Sequence, residues 1–274
     1  MQLASTISQA RALFDVLPRP LGFVPTMGAL HDGHLALVRR ARAESVAVAA
    51  SLFVNPLQFA PNEDFGRYPR DADGDRAKLA QAGVDVLFVP SAAAMYPSDF
   101  STSVDAGPIG EVFEGAIRPG HFRGVATVVC KLLNVVRPDT LYLGQKDAQQ
   151  TAVVRRMIRD LEIPTGVVIV PTEREEDGLA MSSRNAYLSP EERAAAPSLH
   201  HALQAVRLAM ANGRSKADAI AAARARLHPL AQLDYIDVVD ANTFTPIETL
   251  SPPAFVIGAA RFGSTRLLDN LWIE

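Results

Sequence analysis

Two spacings alternate along the chain as far as residue 170. Short apolar runs at Leu21 to Val24, Val46 to Val54, Val84 to Val89, Thr140 to Leu143 and Gly166 to Val170 have the length and content of buried strands. Between them apolar residues recur at helical spacing. One predicted helix covers Ile7 to Leu17, capped by Ser5 or Thr6 and stopped by Pro18 and Pro20. A second follows Gly33, with Leu35, Leu37 and Val38 on its apolar side and Arg39, Arg40 and Arg42 on its polar side. Asp71 begins a third over Ala72 to Ala82, ended by Gly83. A fourth runs from Val125 to Val136, and a fifth from Asp147 through Leu161. Pro56, Pro61 and Pro69 leave Leu57 to Tyr68 irregular, and Ser91 to Gly124 is rich in Pro and Gly.

Strands alternating with helices predict a parallel sheet covered on both faces, with ligands at the carboxyl ends of its strands. Beyond residue 175 the pattern changes. Ser189-Pro190-Glu191-Glu192 combines an N-cap, a proline at the first helical position and a capping-box glutamate. One alanine-rich helix then reaches Gly213 and another covers 215–227, before strands at Tyr235 to Val239, Ala254 to Ala259 and Arg266 to Trp272. The expected fold class is therefore α/β at 1–175, followed by a smaller α+β domain at 176–274 with helices first and antiparallel strands after.

Composition narrows the function. The 274 residues are 48% apolar and 21% charged, which is ordinary for a soluble chain with a sizeable core. A net charge of −3 and the lack of a dense basic run disfavour nucleic acid as a partner. No apolar stretch approaches the roughly 20 residues of a membrane span. Arg11 interrupts the N-terminal apolar pattern, which reads as an amphipathic helix rather than a signal peptide. The single cysteine, Cys130, cannot form an internal disulfide and reads as a buried structural thiol in VATVVCKLL. A cytoplasmic location is expected.

The chemistry concentrates after the first buried strand. There Pro25 and Gly28 lead through His31-Asp32-Gly33-His34 into a helix. A strand that turns into a helix offers backbone N–H groups and the positive end of the helix dipole to an anion. Imidazoles at i and i+3 lie on one side of the first turn and can donate to phosphate oxygens. The same spacing also fits a helix-surface coincidence or half of a metal site. Asn55 and Gln58 follow the second strand, and Gln58 reads as an exposed loop amide or a substrate-facing one. Arg118-Pro-Gly-His121-Phe-Arg123-Gly reads as a mobile loop carrying cations, either solvated or a wall over a phosphate site. After the fourth strand, Asp147 fits an N-cap, Lys146 stands at the helix start and Gln150 lies one turn along on the same face. Ser182 and Ser183 beside Arg184 can hold polyphosphate oxygens.

Four blocks together resemble the pantothenate synthetase (pantoate–β-alanine ligase) family over essentially the full length. They are Pro25-Thr26-Met27-Gly28-Ala29-Leu30-His31-Asp32-Gly33-His34, Phe53-Val54-Asn55-Pro56-Leu57-Gln58-Phe59, Gly144-Gln145-Lys146-Asp147-Ala148-Gln149-Gln150 and Met181-Ser182-Ser183-Arg184-Asn185. The resemblance implies a Rossmann-like nucleotide-binding domain, a homodimer, and an ATP-dependent ligase that makes pantoyl adenylate and then transfers pantoate to β-alanine. It assigns His31, His34 and Lys146 to the ATP phosphates and to catalysis, and Gln58 and Gln150 to pantoate. Met27 to His34, Gly144 to Asp147, Glu173 and Met181 to Arg184 would surround the nucleotide. Asn55, Glu114, Arg118 and His121 would line the same cavity, with Mg²⁺ bridging the phosphates. Gln145 stands where the family commonly has glutamate, and Glu173 where relatives often have a small apolar residue.

The implied chemistry suits the residues. An ionised carboxylate needs no strong general base, only alignment and neutralisation of spreading charge. Three rival readings draw on some of the same residues. A nucleotidyltransferase acting on a phosphorylated acceptor would use His31 and His34 but favours a basic acceptor pocket over paired glutamines. A short class I aminoacyl-tRNA synthetase would need a tRNA-binding module, and none is recognisable. A non-catalytic module would bind ATP without consuming it.

Overall fold

The computed structural model describes residues 1–60 and 63–274; Pro61, one of the breakers read from the sequence, lies outside them. The chain packs as two compact units, 1–144 with 149–170, and 145–148 with 171–274.

Six parallel strands form the first unit's sheet: β1 (Gln2–Ala4), β2 (Leu21–Thr26), β3 (Ala47–Leu52), β4 (Val86–Phe88), β5 (Thr140–Gly144) and β6 (Gly166–Val170). Their spatial order is β1-β4-β3-β2-β5-β6. Winding runs outward from β2 through β3 on one side and through β5 on the other. That reversal leaves a crevice at the carboxyl ends of β2 and β5, where such sheets bind ligands. β3 is buried at every position and β2 at all but Pro25, as expected of strands covered on both faces. Val24, Leu37, Val38, Ala50, Leu87 and Tyr142 form one continuous core between this sheet and the helix Asp32–Glu44.

The second unit carries the α-helices Pro190–Ala195, Pro197–Ala211 and Lys216–Arg224 and an antiparallel sheet. Its strands β7 (Ala231–Asp240), β8 (Ala254–Phe262) and β9 (Thr265–Ile273) lie in sequence order. Leu203, Val206, Ile236, Val238, Val256 and Leu271 fill the space between.

Several elements differ from the sequence reading, each for a local reason. β1 is hidden in the approach to the first helix, because three residues carry no periodic signal. Only its parallel register with β4, Gln2 opposite Val86, defines it. The alanine-rich helix is two helices, since Pro197 lacks the N–H needed to continue one. The helix expected from Val125 begins at His121, after Gly120 at φ 81°, a left-handed conformation open to glycine. Arg118 to Gly124 is therefore not a mobile loop but a helix start and its approach. Cys130 is half-buried rather than buried.

Candidate functional site

The loop leaving β2 is strained and clamped. Gly28 has φ 90° and Ala29 φ 52°, so two successive residues are left-handed. The reversal turns the Ala29 and Leu30 N–H groups toward Asp75, a carboxylate only 2% exposed, whose two oxygens accept them at 2.8 Å each. Asp75 lies on the helix Ala72–Gln81, and one turn along Lys78 Nζ donates to the Leu30 carbonyl at 2.7 Å. Sequence reasoning passes over both residues. A signal does exist: Asp75 shares a helical face with the buried Leu79, and an acid on an apolar face needs a partner.

Beyond the clamp, His31 is the N-cap of the helix Asp32–Glu44 and His34 sits three residues in. Their ring centroids are 4.1 Å apart. The His31 backbone N–H donates to His34 Nδ1 at 3.4 Å, so the neutral His34 ring carries its proton on Nε2. Its ring orientation and tautomer are thus set by the main chain. Asp32, in the first turn and exposed, complements the helix dipole.

A second group gathers after β3. Asn55 caps the short 3₁₀ turn Pro56–Gln58, accepting the Leu57 N–H at 3.3 Å and the Tyr96 hydroxyl at 2.7 Å. Its amide donates to Gln58 Oε1 at 3.1 Å and to the Gly124 carbonyl at 3.1 Å. The Gln58 amide reaches Met27 Sδ at 3.0 Å, which links this group to the β2 loop. Gly124 is required here. A Cβ would stand 2.2 Å from the Leu57 carbonyl oxygen. Asn55 and Gln58 are both buried, so Gln58 is not an exposed loop amide.

Arg118 and His121 brace this turn. Arg118 grips Glu63 with two hydrogen bonds of 2.6 and 2.7 Å and donates to the Gln58 carbonyl at 3.2 Å. His121 Nδ1 donates to the same carbonyl at 2.8 Å, and its Nε2 faces Arg118 Nη1 at 3.1 Å. Both partners suit a neutral ring. Burial first, then the adjacent guanidinium, lower the His121 pKa from 6.5 to about 4. Burial raises that of Glu63, but the hydrogen bonds and charge of Arg118 outweigh it, leaving the carboxyl below its ordinary value.

A pH dependence follows. The depressed native pKa means His121 contributes stability that is full above pH 6.5 and is lost as pH falls toward 4. A tenfold change in proton affinity corresponds to about 1.4 kcal/mol of that stability. Denaturant unfolding across this window should show stability falling with pH, and more steeply than in His121→Gln. Equal slopes in the two proteins would contradict the assignment.

Glu114 is buried, and its N–H donates to Gln149 Oε1 at 3.1 Å. Gln149, overlooked in favour of its neighbour, also donates to the carbonyls of Ile109 and Val112 at 2.9 and 2.8 Å. It pins the 107–117 segment. Gln150 is half-buried on the helix Ala148–Asp160 and Gly144 ends β5. Arg123 is exposed and paired with Asp105.

In the second unit Gln145, Lys146 and Asp147 form a 3₁₀ turn directly before Ala148. Lys146 lines a cavity with Ser182, Arg184, His200, Arg266 and Asp269. Ser182 caps the 3₁₀ helix Ser183–Tyr187, accepting the Arg184 N–H at 3.3 Å. Met181 N–H donates to the Glu173 carbonyl at 3.0 Å, and the Glu173 residue is exposed. Lys146, Ser182 and Arg184, separate in sequence, are thus brought to one cavity, whose lining does not include Ser183.

The sequence profile of the pantoate-β-alanine ligase family matches residues 2–272. The chain belongs to that family. Pantothenate synthetase from Chloroflexus aggregans is 53% identical over 280 residues, covering 100% of this chain and 99% of the relative. The crystal structure of the Thermus thermophilus pantothenate synthetase aligns with a TM-score of 0.95 at 53% identity, covering 99% of each chain. A Francisella tularensis pantoate-β-alanine ligase, solved with β,γ-ATP and β-alanine, aligns at 0.82 and 34% identity, covering 99% of this chain and 97% of that one. Membership of this ligase family makes the chain an enzyme that joins pantoate to β-alanine.

Proposed function

We propose that this ligase works in two steps on ATP. The pantoate carboxylate oxygen attacks the α-phosphorus, the bond from that phosphorus to the α–β bridging oxygen breaks, and pyrophosphate leaves. The β-alanine amine then attacks the acyl carbon of pantoyl adenylate, loses a proton and expels AMP. Support comes chiefly from the His31–His34 pair, whose main-chain hydrogen bond gives His34 a fixed Nε2–H donor at a helix N-terminus beside the β2/β5 crevice. That group is suited to negative charge growing on phosphate oxygens.

The reading assigns Met27 to His34 to the nucleotide in the first unit, with His31 and His34 on its phosphates. Asn55, Gln58, Gln150, Glu114, Arg118 and His121 belong to the pantoate side, where Gln58 and Gln150 meet hydroxyl and carboxylate groups as donors and acceptors. The braces from Arg118 and His121 to the Gln58 carbonyl fit them to holding that amide in place. For the second unit it assigns Lys146, Ser182, Ser183 and Arg184 to phosphate oxygens. Gly144, Gln145, Asp147, Glu173 and Met181 serve the rest of the nucleotide.

Among the described residues no group of three or more His, Cys, Asp or Glu could hold a metal ion. Mg²⁺ would enter with the triphosphate, and the Lys146 ammonium would add positive charge while the neutral His34 ring donates a hydrogen bond. When bound, the ion would neutralise phosphate charge. Cys130 is unsuited to carrying the acyl group, because burial raises its pKa and keeps it a thiol. The 107–124 segment, pinned by Gln149 and braced through Arg118, is fitted to shield the mixed anhydride from water. The same reading includes a homodimer and a cytoplasmic location. No helix among the described residues is long and apolar enough to cross a membrane.

The test is AMP formation from ATP with pantoate and β-alanine together, compared with either alone. Sustained AMP release should require both. Release with neither, or with a phosphorylated acceptor instead of pantoate, would contradict the reading.

A further inference from the structure

The 3₁₀ turn Gln145–Asp147 is too short to hold itself, yet it carries the lysine assigned to the ATP phosphates. Its backbone is held from β9. Asn270, 2% exposed, donates both amide hydrogens to successive carbonyls, Gln145 O and Lys146 O, at 2.9 Å each. Its Oδ1 accepts the Gln145 side-chain amide at 3.2 Å. We propose that Asn270 is a positioning residue for adenylation, fixing the backbone from which the Lys146 side chain projects. The proposal rests on the reading that Lys146 meets the phosphates.

The chemistry of the contact selects asparagine. Two successive carbonyls need two donors from one group, and the Gln145 amide needs an acceptor on the same group. Aspartate has the shape but no donors, and would turn a charged oxygen against the carbonyls. The neighbouring residue performs the matching task for the rest of the cavity. Asp269, 5% exposed, accepts Arg174 Nη1 and Nη2 at 2.7 and 2.8 Å and faces His200 Nδ1 at 3.2 Å. Arg174 in turn donates to the Gly178 carbonyl at 3.0 Å, closing the hairpin that leads to Ser182. Two successive residues of β9, whose side chains leave opposite faces of the strand, hold the two segments that line the cavity. Lys146 and Ser182–Arg184 are thereby fixed relative to one another.

A double-mutant cycle tests the role. Pantoate-dependent exchange of pyrophosphate into ATP is measured for the intact protein, Asn270→Ala, Lys146→Ala and the double variant, each with kcat and the KM for pantoate. A misplaced reacting group costs up to about 10²-fold, so Asn270→Ala should lower kcat by roughly tenfold or more, with the pantoate KM unchanged. In the Lys146→Ala background the same substitution should change nothing further. Asn270→Asp should behave as Asn270→Ala. An equal fold-loss in both backgrounds would mark a general weakening of the fold and overturn the proposal alone. Wild-type kcat in Asn270→Ala would do the same. Unchanged exchange in Lys146→Ala would overturn the reading of Lys146, and the proposal with it. Where Asn270→Ala does not fold, Asn270→Ser, which keeps a small polar group and at most one donor, takes its place. Its smaller loss should also vanish without Lys146, and a loss that persists there overturns the proposal.

Discussion

Replacing His34 with alanine should lower the rate of pantoyl adenylate formation by roughly 10²–10³ while leaving ATP affinity nearly unchanged, the usual cost of losing one preorganised donor. His34 is not held by chance packing. The His31 N–H engages its Nδ1, which fixes both tautomer and ring plane before any substrate arrives. A donor fixed in that way contributes most when charge on the phosphate oxygens is greatest, at the transition state. The substitution leaves the helix N-terminus and the loop clamp in place, so ground-state binding should persist. Calorimetry of ATP binding and a single-turnover assay separate the two quantities. Equal losses in affinity and in turnover would remove His34 from the role assigned to it.

The second large effect should come from a residue that the reading places outside the contacts to substrate. Asp75→Ala deletes the acceptor for two N–H groups at once, those of Ala29 and Leu30. A polar group left unsatisfied in a buried position costs about 1–3 kcal/mol. The left-handed pair Gly28 and Ala29 would then lose what holds it, and the entry to His31 would relax. Stability and adenylation should therefore fall together. Asp75→Asn should lie between, because it keeps one acceptor but turns an amide hydrogen toward the other N–H. Thermal unfolding read beside the exchange rate checks this, and an Asp75→Ala protein with normal stability and normal rate would contradict it.

These two residues also mark what the sequence could disclose. His31 and His34 announce themselves through spacing, position after an apolar strand and residue type. Asp75 acts on residues more than forty positions away, through a carboxylate whose only local sign is its place on Leu79's face. The parallel sheet was legible because buried strands read as continuous apolar runs, and the helix starts at Thr6, Asp71, Ser189 and Ser215 because caps are local chemistry. β1 was not, since its existence depends on pairing with β4. Asn270 was equally hidden. Its contacts reach a turn about 125 residues earlier, and nothing near it in sequence hints at them. Arg118 and His121 read in sequence as cations of a loose loop. Folding makes them neutral-ring and guanidinium braces around the Gln58 carbonyl.

The central claim is an adenylate formed before the amine is used. Pantoate's carboxylate cannot be displaced by an amine at neutral pH, because the leaving group would be an oxide; attaching AMP turns that oxygen into a good leaving group. Exchange of labelled pyrophosphate into ATP, with Mg²⁺ and pantoate present and β-alanine absent, tests this most directly. The account predicts exchange at a rate comparable with turnover, with little AMP released. Exchange that begins only when β-alanine is added would contradict it.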